Sequence, residues 1–527
     1  MFSEDFQPAV VGDIARKNAS LYGDEVAVFF EGAETTFRQF DTHVNQVANG
    51  LIGLGVEPQT HIGYIGKNSD AYFELFYGAC KARVILAPIN WRLAPPEIAY
   101  IVNDCQAQVL FVGAEFAAAI RAIAGELTSV HTIIVMEGTE PDFKNFAQWR
   151  DAQSGAEPDR KVDEGDVAIQ LYTSGTTGHP KGAMLTHSNL LAARRRPRGE
   201  LPDWSEASHE DVWLVSMPVF HIGGSGALVW ASFYGGKIVI TREFNAMTTL
   251  DDFVRHRITR LFMVPAALQF IVRLPQARQV DYSRLKYITY GASPIPLDLL
   301  RECMDVFKCG FVQMYGMTET TGTIVALDPE DHDPAGSSRM RSAGKPLDGV
   351  EIAILDADGK ELPTGQVGEI ATRSSANMKG YWNLPEATQR TMSEDGWLRT
   401  GDAGYVDEDG YVFVHDRVKD MIISGAENIY PAEVESAIFG HPAIAEVAVI
   451  GVPDDKWGES VKAVVVLKDG VEASPDEIIA FARTRIAGYK APRTVDFIEA
   501  LPRNPSGKIL KRELREPYWA GKDRRVN

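Results

Sequence analysis

The chain has 527 residues, 45% of them hydrophobic and 24% charged, the balance of a soluble globular protein rather than a fibrous or disordered one. That length implies roughly three to four domain-sized units, because a single hydrophobic core stops growing well below it. The 53 Lys and Arg against 72 Asp and Glu leave a net charge of −19, which argues against a general nucleic-acid or membrane-surface binder but leaves room for a locally positive site.

The N-terminus carries acids where a signal peptide needs basic residues. No apolar run reaches the roughly 20 residues of a membrane span, so a cytoplasmic location is expected. Residues 8–55 read as helical, with Phe40, Val44, Val47, Ala48 and Leu51 near 3.6 spacing. Four strand-sized apolar runs then alternate with helical patterns: His61–Ile65, Val84–Pro88, Val109–Val112 and Thr132–Met136. That alternation predicts an α/β fold of mostly parallel sheet covered on both faces. Cys80, Cys105, Cys303 and Cys309 show no CxxC spacing and are expected as reduced, mostly buried thiols.

Around 345–415 the pattern becomes a small β-rich subdomain. Asp356-Ala-Asp-Gly359 and Asp407-Glu-Asp-Gly410 mark its hairpins. From about 419 a compact α+β unit begins. Pro431 opens a helix that Gly440 and Pro442 close. Strands Val447–Val452 and Val461–Leu467 follow, and a capping box at Ser474 to Glu477 precedes the helix Ile478–Ile486. The expected division is an N-terminal domain of residues 1–418 and a C-terminal domain of 419–527. Arg194-Arg-Arg-Pro-Arg198 reads as a solvated loop, or else as a contact for an anionic tail or partner.

Chemistry concentrates first in Tyr172-Thr-Ser-Gly-Thr-Thr-Gly-His-Pro-Lys-Gly182, which follows the apparent strand Val167–Leu171. Hydroxyls and backbone N–H groups in such a loop can wrap polyphosphate, glycine permits close approach, and Lys181 adds positive charge. It is not a Walker loop, since Pro180 and Gly182 stand where that motif needs Gly and Ser or Thr. Further segments follow in order: Pro218-Val-Phe-His-Ile-Gly-Gly224, Tyr290-Gly-Ala-Ser-Pro294, Gln313-Met-Tyr-Gly-Met-Thr-Glu-Thr320, Trp397-Leu-Arg-Thr-Gly-Asp402, Asp416-Arg-Val-Lys-Asp-Met421 and Pro505-Ser-Gly-Lys508.

Together these segments resemble, across essentially the whole chain, the adenylate-forming superfamily of acyl-CoA synthetases, coumarate-CoA ligases, luciferases and peptide-synthetase adenylation domains. The resemblance implies doubly wound, mostly parallel sheets with a small β subdomain, followed by a mobile α+β lid. It implies ATP-dependent conversion of a carboxylic acid to an acyl-adenylate, then transfer to coenzyme A. Thr173, Ser174, Gly175, Thr176, Thr177 and Lys181 would hold phosphates. Tyr315 with Gly316 would stack on adenine, with Gly291, Ala292 and Ser293 on its other side. Asp402 would bind the ribose hydroxyls, which one carboxylate can do with two oxygens, and Arg417 would reach ribose or phosphate. Thr318 would donate to the α-phosphate and Glu319 would hold Mg²⁺, a hard cation that takes carboxylate oxygen. Lys508 would be the catalytic cation of the first step.

Lys419 falls at the family's hinge, where Asp is common. Ser424 and Gly425 would line the thiol's path, and Trp457 and Tyr489–Arg493 match positions contacting the CoA nucleotide, although Ala491 departs from an arginine found there in one branch. The acyl pocket is expected around His221, Ile222, Gly223, Gly291 and Met314. His221 has two readings, a gating residue at the pocket mouth or a satisfied structural histidine. Residues 222–225 offer no carboxylate for an α-ammonium, and Met314, where coumarate-type and many long-chain relatives have glycine, is expected to shorten or narrow the pocket. A medium-length or otherwise aliphatic acid is the expected substrate. The alternatives are an enzyme loading a carrier protein and a non-catalytic nucleotide- or acyl-binding relative. A homodimer is expected on base rates alone.

Overall fold

The computed structural model describes residues 6–173, 179–195, 200–417, 420–424, 427–454, 456–503 and 509–520. Two large sheets form its body. The first runs Gly380–Tyr381, Lys181–Thr186, Val167–Thr173, Ile85–Ile89, His61–Ile65, Val109–Val112, Thr132–Val135 and Lys144–Asn145. From Val167–Thr173 outward to Lys144–Asn145 its neighbours are parallel. Its central strands His61–Ile65 and Ile85–Ile89 are buried at every position, as parallel strands covered on both faces must be. The second sheet pairs Val26–Phe30, Lys237–Ile240, Val212–Val215, Arg260–Met263, Tyr287–Gly291 and Gly310–Met317 in parallel. Antiparallel strands flank this set at either edge.

The expected β-rich subdomain is a four-stranded antiparallel sheet of Glu351–Leu355, Gly368–Arg373, Leu398–Val406 and Val412–Arg417. A last sheet is built around Ile444–Asp454 and Gly458–Leu467, with the helices Pro431–Phe439 and Pro475–Arg483 beside it. It encloses its own apolar cluster, including Ile422, Val434, Val449, Val461 and Ile478. Ser474 caps its helix through the expected reciprocal box, but the helix starts and ends three residues before the sequence reading. Cys80, Cys105 and Cys303 are buried free thiols, as expected, and Cys309 is partly so. Among the described residues no helix is long and apolar enough to cross a membrane.

The reading of 8–55 as helical needs correction. Two helices, Asp13–Tyr22 and Phe37–Gly53, are separated by a hairpin of Val26–Phe30 and Ala33–Thr36. Its turn places Glu31 and Gly32 at positive φ, as tight hairpin turns require. The strand Val26–Phe30 is fixed by the distant Lys237–Ile240, a contact invisible to local periodicity.

Phe37–Gly53 packs on Asp70–Lys81 through Gly78, where a Cβ would overlap the Val47 side chain and stand 3.1 Å from the Val44 carbonyl oxygen. Gly78→Ala is therefore expected to destabilise the body by about 1–3 kcal/mol, the usual cost of overpacking. Gly125→Ala, which would meet nothing within 4 Å, is expected to leave the thermal unfolding midpoint in place. Equal midpoints for the two variants would refute this packing account.

Candidate active site

Loops at the carboxyl ends of parallel strands are where open α/β sheets build ligand sites, and several of the predicted residues lie there. Thr173 ends the strand Val167–Thr173, Gly291 ends Tyr287–Gly291, and Thr318 to Thr320 form a short 3₁₀ turn directly after Gly310–Met317. The Thr320 hydroxyl donates to the Gly322 carbonyl at 2.7 Å and accepts from the Met317 N–H at 3.0 Å. Those bonds fix the turn that aims Thr318 and Glu319.

Glu319 is only 5% exposed. Its Oε1 accepts from the Tyr381 hydroxyl at 2.8 Å and from Thr173 Oγ1 at 3.3 Å. The Lys181 ammonium lies 4.9 Å from the centroid of the same Tyr381 ring. Thr173, Lys181 and Glu319 are thus brought together through Tyr381, a residue the sequence reading missed. Tyr381 is positioned by pairing with Ala183 in a two-residue edge strand, and no local pattern announces such a contact. Ser174, Gly175, Thr176 and Thr177 lie outside the described residues.

Tyr315 donates its hydroxyl to Asp402 Oδ2 at 2.9 Å, and Asp402 stands opposite Arg417 in the antiparallel register. Close backbone packing explains the glycines between them. A Cβ on Gly316 would overlap the Gly322 carbonyl oxygen, and one on Gly291 the Met314 carbonyl oxygen. Ala292 takes a left-handed conformation with φ of 66°, turning the chain toward Ser293.

A cavity of about 1430 Å³ opens beside these groups, with Thr173, Thr318 and Glu319 at one side and His221, Ile222, Gly223, Ala292 and Met314 along its wall. That exceeds the ~300–1,000 Å³ of most small-molecule sites, enough for a nucleotide together with an acyl chain. Gly291 itself does not line the cavity; it lets the neighbouring strand approach, and Ala292 presents the surface instead. The His221 Nε2 is closed off from solvent with no hydrogen-bond partner. Burial, and then the positive Arg92 nearby, pull its imidazole down to about 4, so the ring is neutral at physiological pH. The satisfied structural histidine is therefore not what the geometry shows.

In the last sheet, Ser424 pairs with Gly458, directly after Trp457. The Trp457 ring carries the Arg493 guanidinium 4.8 Å from its centroid, and Ala491 is buried. Gly425, Lys419 and Lys508 lie outside the described residues. Leu510 and Arg512, a little further along the chain, line the cavity. Arg194 also lines it, so the reading of Arg194–Arg198 as a solvated loop fails at its first residue. Arg195, by contrast, pairs with Glu164 at 2.8 Å near the surface.

A mostly parallel α/β body with a nucleotide-sized cavity at its strand ends, followed by a separate α+β unit, defines an adenylate-forming enzyme. The family model described as AMP-binding enzyme matches residues 15–382, and that of the AMP-binding enzyme C-terminal domain matches 433–508. A fatty acid–[acyl-carrier-protein] ligase, ScoC, of Streptomyces coeruleorubidus is 41% identical over 505 residues, covering 95% of each chain. A feruloyl-CoA synthase of an Amycolatopsis species is 38% identical over 504 residues, covering 95% of this chain and 98% of its own. The crystal structure of the anthranilate CoA ligase AuaEII in complex with anthranoyl-AMP matches with a TM-score of 0.89 and 29% identity, over 98% of this chain and 99% of that one. The chain belongs to the AMP-binding enzyme family, the adenylate-forming superfamily. It is an AMP-forming acid–thiol ligase that uses ATP to activate a carboxylic acid.

Histidine NMR titration should give His221 a midpoint near 4 rather than the usual value near 6.5. The sign follows: a histidine whose folded value is depressed binds fewer protons folded than unfolded, so its contribution to stability is present above pH ~6.5 and is lost as pH falls toward 4. A midpoint near 6.5 would remove the enclosed, neutral imidazole.

Proposed function

We propose that this enzyme activates a medium-length or otherwise aliphatic acid as its acyl-adenylate and passes the acyl group to coenzyme A. The observation that carries the reading is the Thr173 to Glu319 hydrogen bond at 3.3 Å. It sets the start of the Gly/Ser/Thr-rich loop against a buried carboxylate on the wall of a cavity large enough for both substrates.

In the first step a carboxylate oxygen of the acid attacks the α-phosphorus, and the bond to the β-phosphate oxygen breaks, releasing pyrophosphate. Lys181 and the loop 173–177 hold the phosphates. Tyr315 and Gly316, with Gly291, Ala292 and Ser293, enclose adenine, while Asp402 and Arg417 bind the ribose side. Glu319 suits a hard cation, being a carboxylate on the cavity wall among hydroxyl donors; Mg²⁺ bound there supplies charge neutralisation to the phosphate oxygens. Thr318 donates to the α-phosphate, and Lys508 offsets the repulsion between two anions as they meet. In the second step the thiol sulfur attacks the acyl carbonyl carbon, AMP leaves, and the thiol proton is lost to solvent. Domains 1–418 and 419–527 reorient about Lys419 between the steps, bringing Ser424, Gly425 and Trp457 toward the incoming thiol.

The 41% identity to a carrier-protein ligase favours a second reading, in which the thiol belongs to a carrier's phosphopantetheine. Assaying free CoA against a carrier protein, with acids from fatty to aromatic, separates the two. CoA and aliphatic acids are expected to give the higher kcat/KM; a preference for carrier or for aromatic acids would overturn the respective half of the proposal. Lys508→Ala should lower acid-dependent pyrophosphate release by about 100–1,000-fold, the scale of losing one positioned charge-stabilising group. Undiminished release would remove Lys508 from the first step.

A further inference from the structure

The acyl side of the cavity runs along one face of the helix Ile222–Phe233. Ile222, Gly223, Gly226, Ala227 and Trp230 all line it, a helical spacing that keeps them on one stripe. From Ile222 to Trp230 that stripe spans about 12 Å of helix rise, and Gly226 leaves it open in the middle, where a Cβ would make only ordinary contact with Ile222.

Arg194 lines the cavity at the Trp230 end of that stripe. The guanidinium lies 5.3 Å from the Trp230 ring centroid. Its Nη1 donates to the Leu190 carbonyl at 3.2 Å, while Nε is closed off from solvent with no partner. No ion pair joins it to a described residue. Glu200 also lines the cavity, but it is exposed and not bonded to Arg194. Trp230 is held in turn by its own N–H on the Ser205 carbonyl at 3.1 Å and by edge contact with Trp204 at 6.2 Å. Among the described residues, the groups facing the arginine are aromatic rings, the Leu190 carbonyl and the Tyr77 and Tyr234 side chains, none of them anionic at neutral pH. Burial pulls Arg194 down to about 10, which leaves it charged at neutral pH. A half-buried cation with no counter-charge among the described residues is costly, and a guanidinium fork matches a carboxylate with two parallel bonds. A plain alkyl tail would leave that cation uncompensated.

We propose that Arg194 is a specificity-determining residue at the Trp230 end of the acyl pocket, and that the preferred acid carries a second carboxylate at the far end of an aliphatic chain. The inference rests on the acid-activating reading of the cavity given above and names its substrate class more closely.

The test measures acid-dependent pyrophosphate release by the full-length enzyme with straight-chain monocarboxylic, ω-hydroxy and α,ω-dicarboxylic acids of matched lengths. At its best length the wild type is expected to favour the dicarboxylic acid by about 10-fold or more in kcat/KM, since a substrate lacking the partner leaves a buried donor unpaired. Arg194→Leu should reverse that ratio, and Arg194→Lys, which keeps the charge without the fork, should restore part of it. A wild-type preference for monocarboxylic or ω-hydroxy acids at every length overturns the inference without any variant, as does an unchanged ratio in folded Arg194→Leu. Either result leaves acid activation standing. Absence of pyrophosphate release with every acid overturns the activation reading itself, and this inference with it.

Discussion

A carboxylate taken out of water must find donors or give up its charge. Glu319 meets that demand with hydroxyls from two separate stretches of chain, Thr173 and Tyr381. Thr173 belongs to one large sheet, Tyr381 to the edge strand of that same sheet, and Glu319 follows a strand of the other. One acceptor oxygen therefore joins the two halves of the body at their strand ends. The sheets themselves are held by a shared apolar core, with Ile62, Tyr64 and Leu86 of one packed in the same cluster as Trp213, Val215 and Ile238 of the other; the Glu319 contact adds a polar tie where the cavity opens.

The cavity is otherwise shaped by absences of side chain. Gly223, Gly226 and Gly316 let backbone or substrate come where a Cβ would intrude or fill space. Against this open wall stand a few groups with a fixed polar character: a neutral His221, the Glu319 carboxylate and a cationic Arg194. The site is polar at one end for the nucleotide, apolar along the helix face, and charged again at the far end. Such an alternation sorts substrates by where their polar groups fall rather than by bulk alone.

Much of this was legible in the sequence because the chemistry sits in contiguous segments. The run 172–182, the stretch Gln313–Thr320 and the segment ending at Asp402 each carry several functional groups within one turn or strand end, so the resemblance could be carried over residue by residue. The strands of the parallel sheets were legible for a related reason: burial on both faces leaves a continuous apolar run. What escaped depends on distant partners. The hairpin at 26–36 is fixed by Lys237–Ile240, and Tyr381 acquires its role from strand Lys181–Thr186. Arg194 looked like the first of several solvated charges. Only the packing of its turn beside Trp230 distinguishes it from Arg195, one residue later, which finds Glu164.

The last sheet keeps an apolar cluster of its own, and the seam between it and the body has a different character. Gln269 donates to the Ala445 carbonyl at 3.0 Å, Arg485 meets Asp298 at 3.3 Å, and Phe439 lies against the clusters of both sides. Exposed ion pairs of this kind are worth about 0–1 kcal/mol. Among the described residues the seam also stacks the His415 ring on Tyr430 at 4.1 Å, so it joins the two sides by polar bonds and a ring contact rather than by a shared core. A turn of the small unit between the two steps, as proposed, would give up these contacts while each side kept its own apolar cluster.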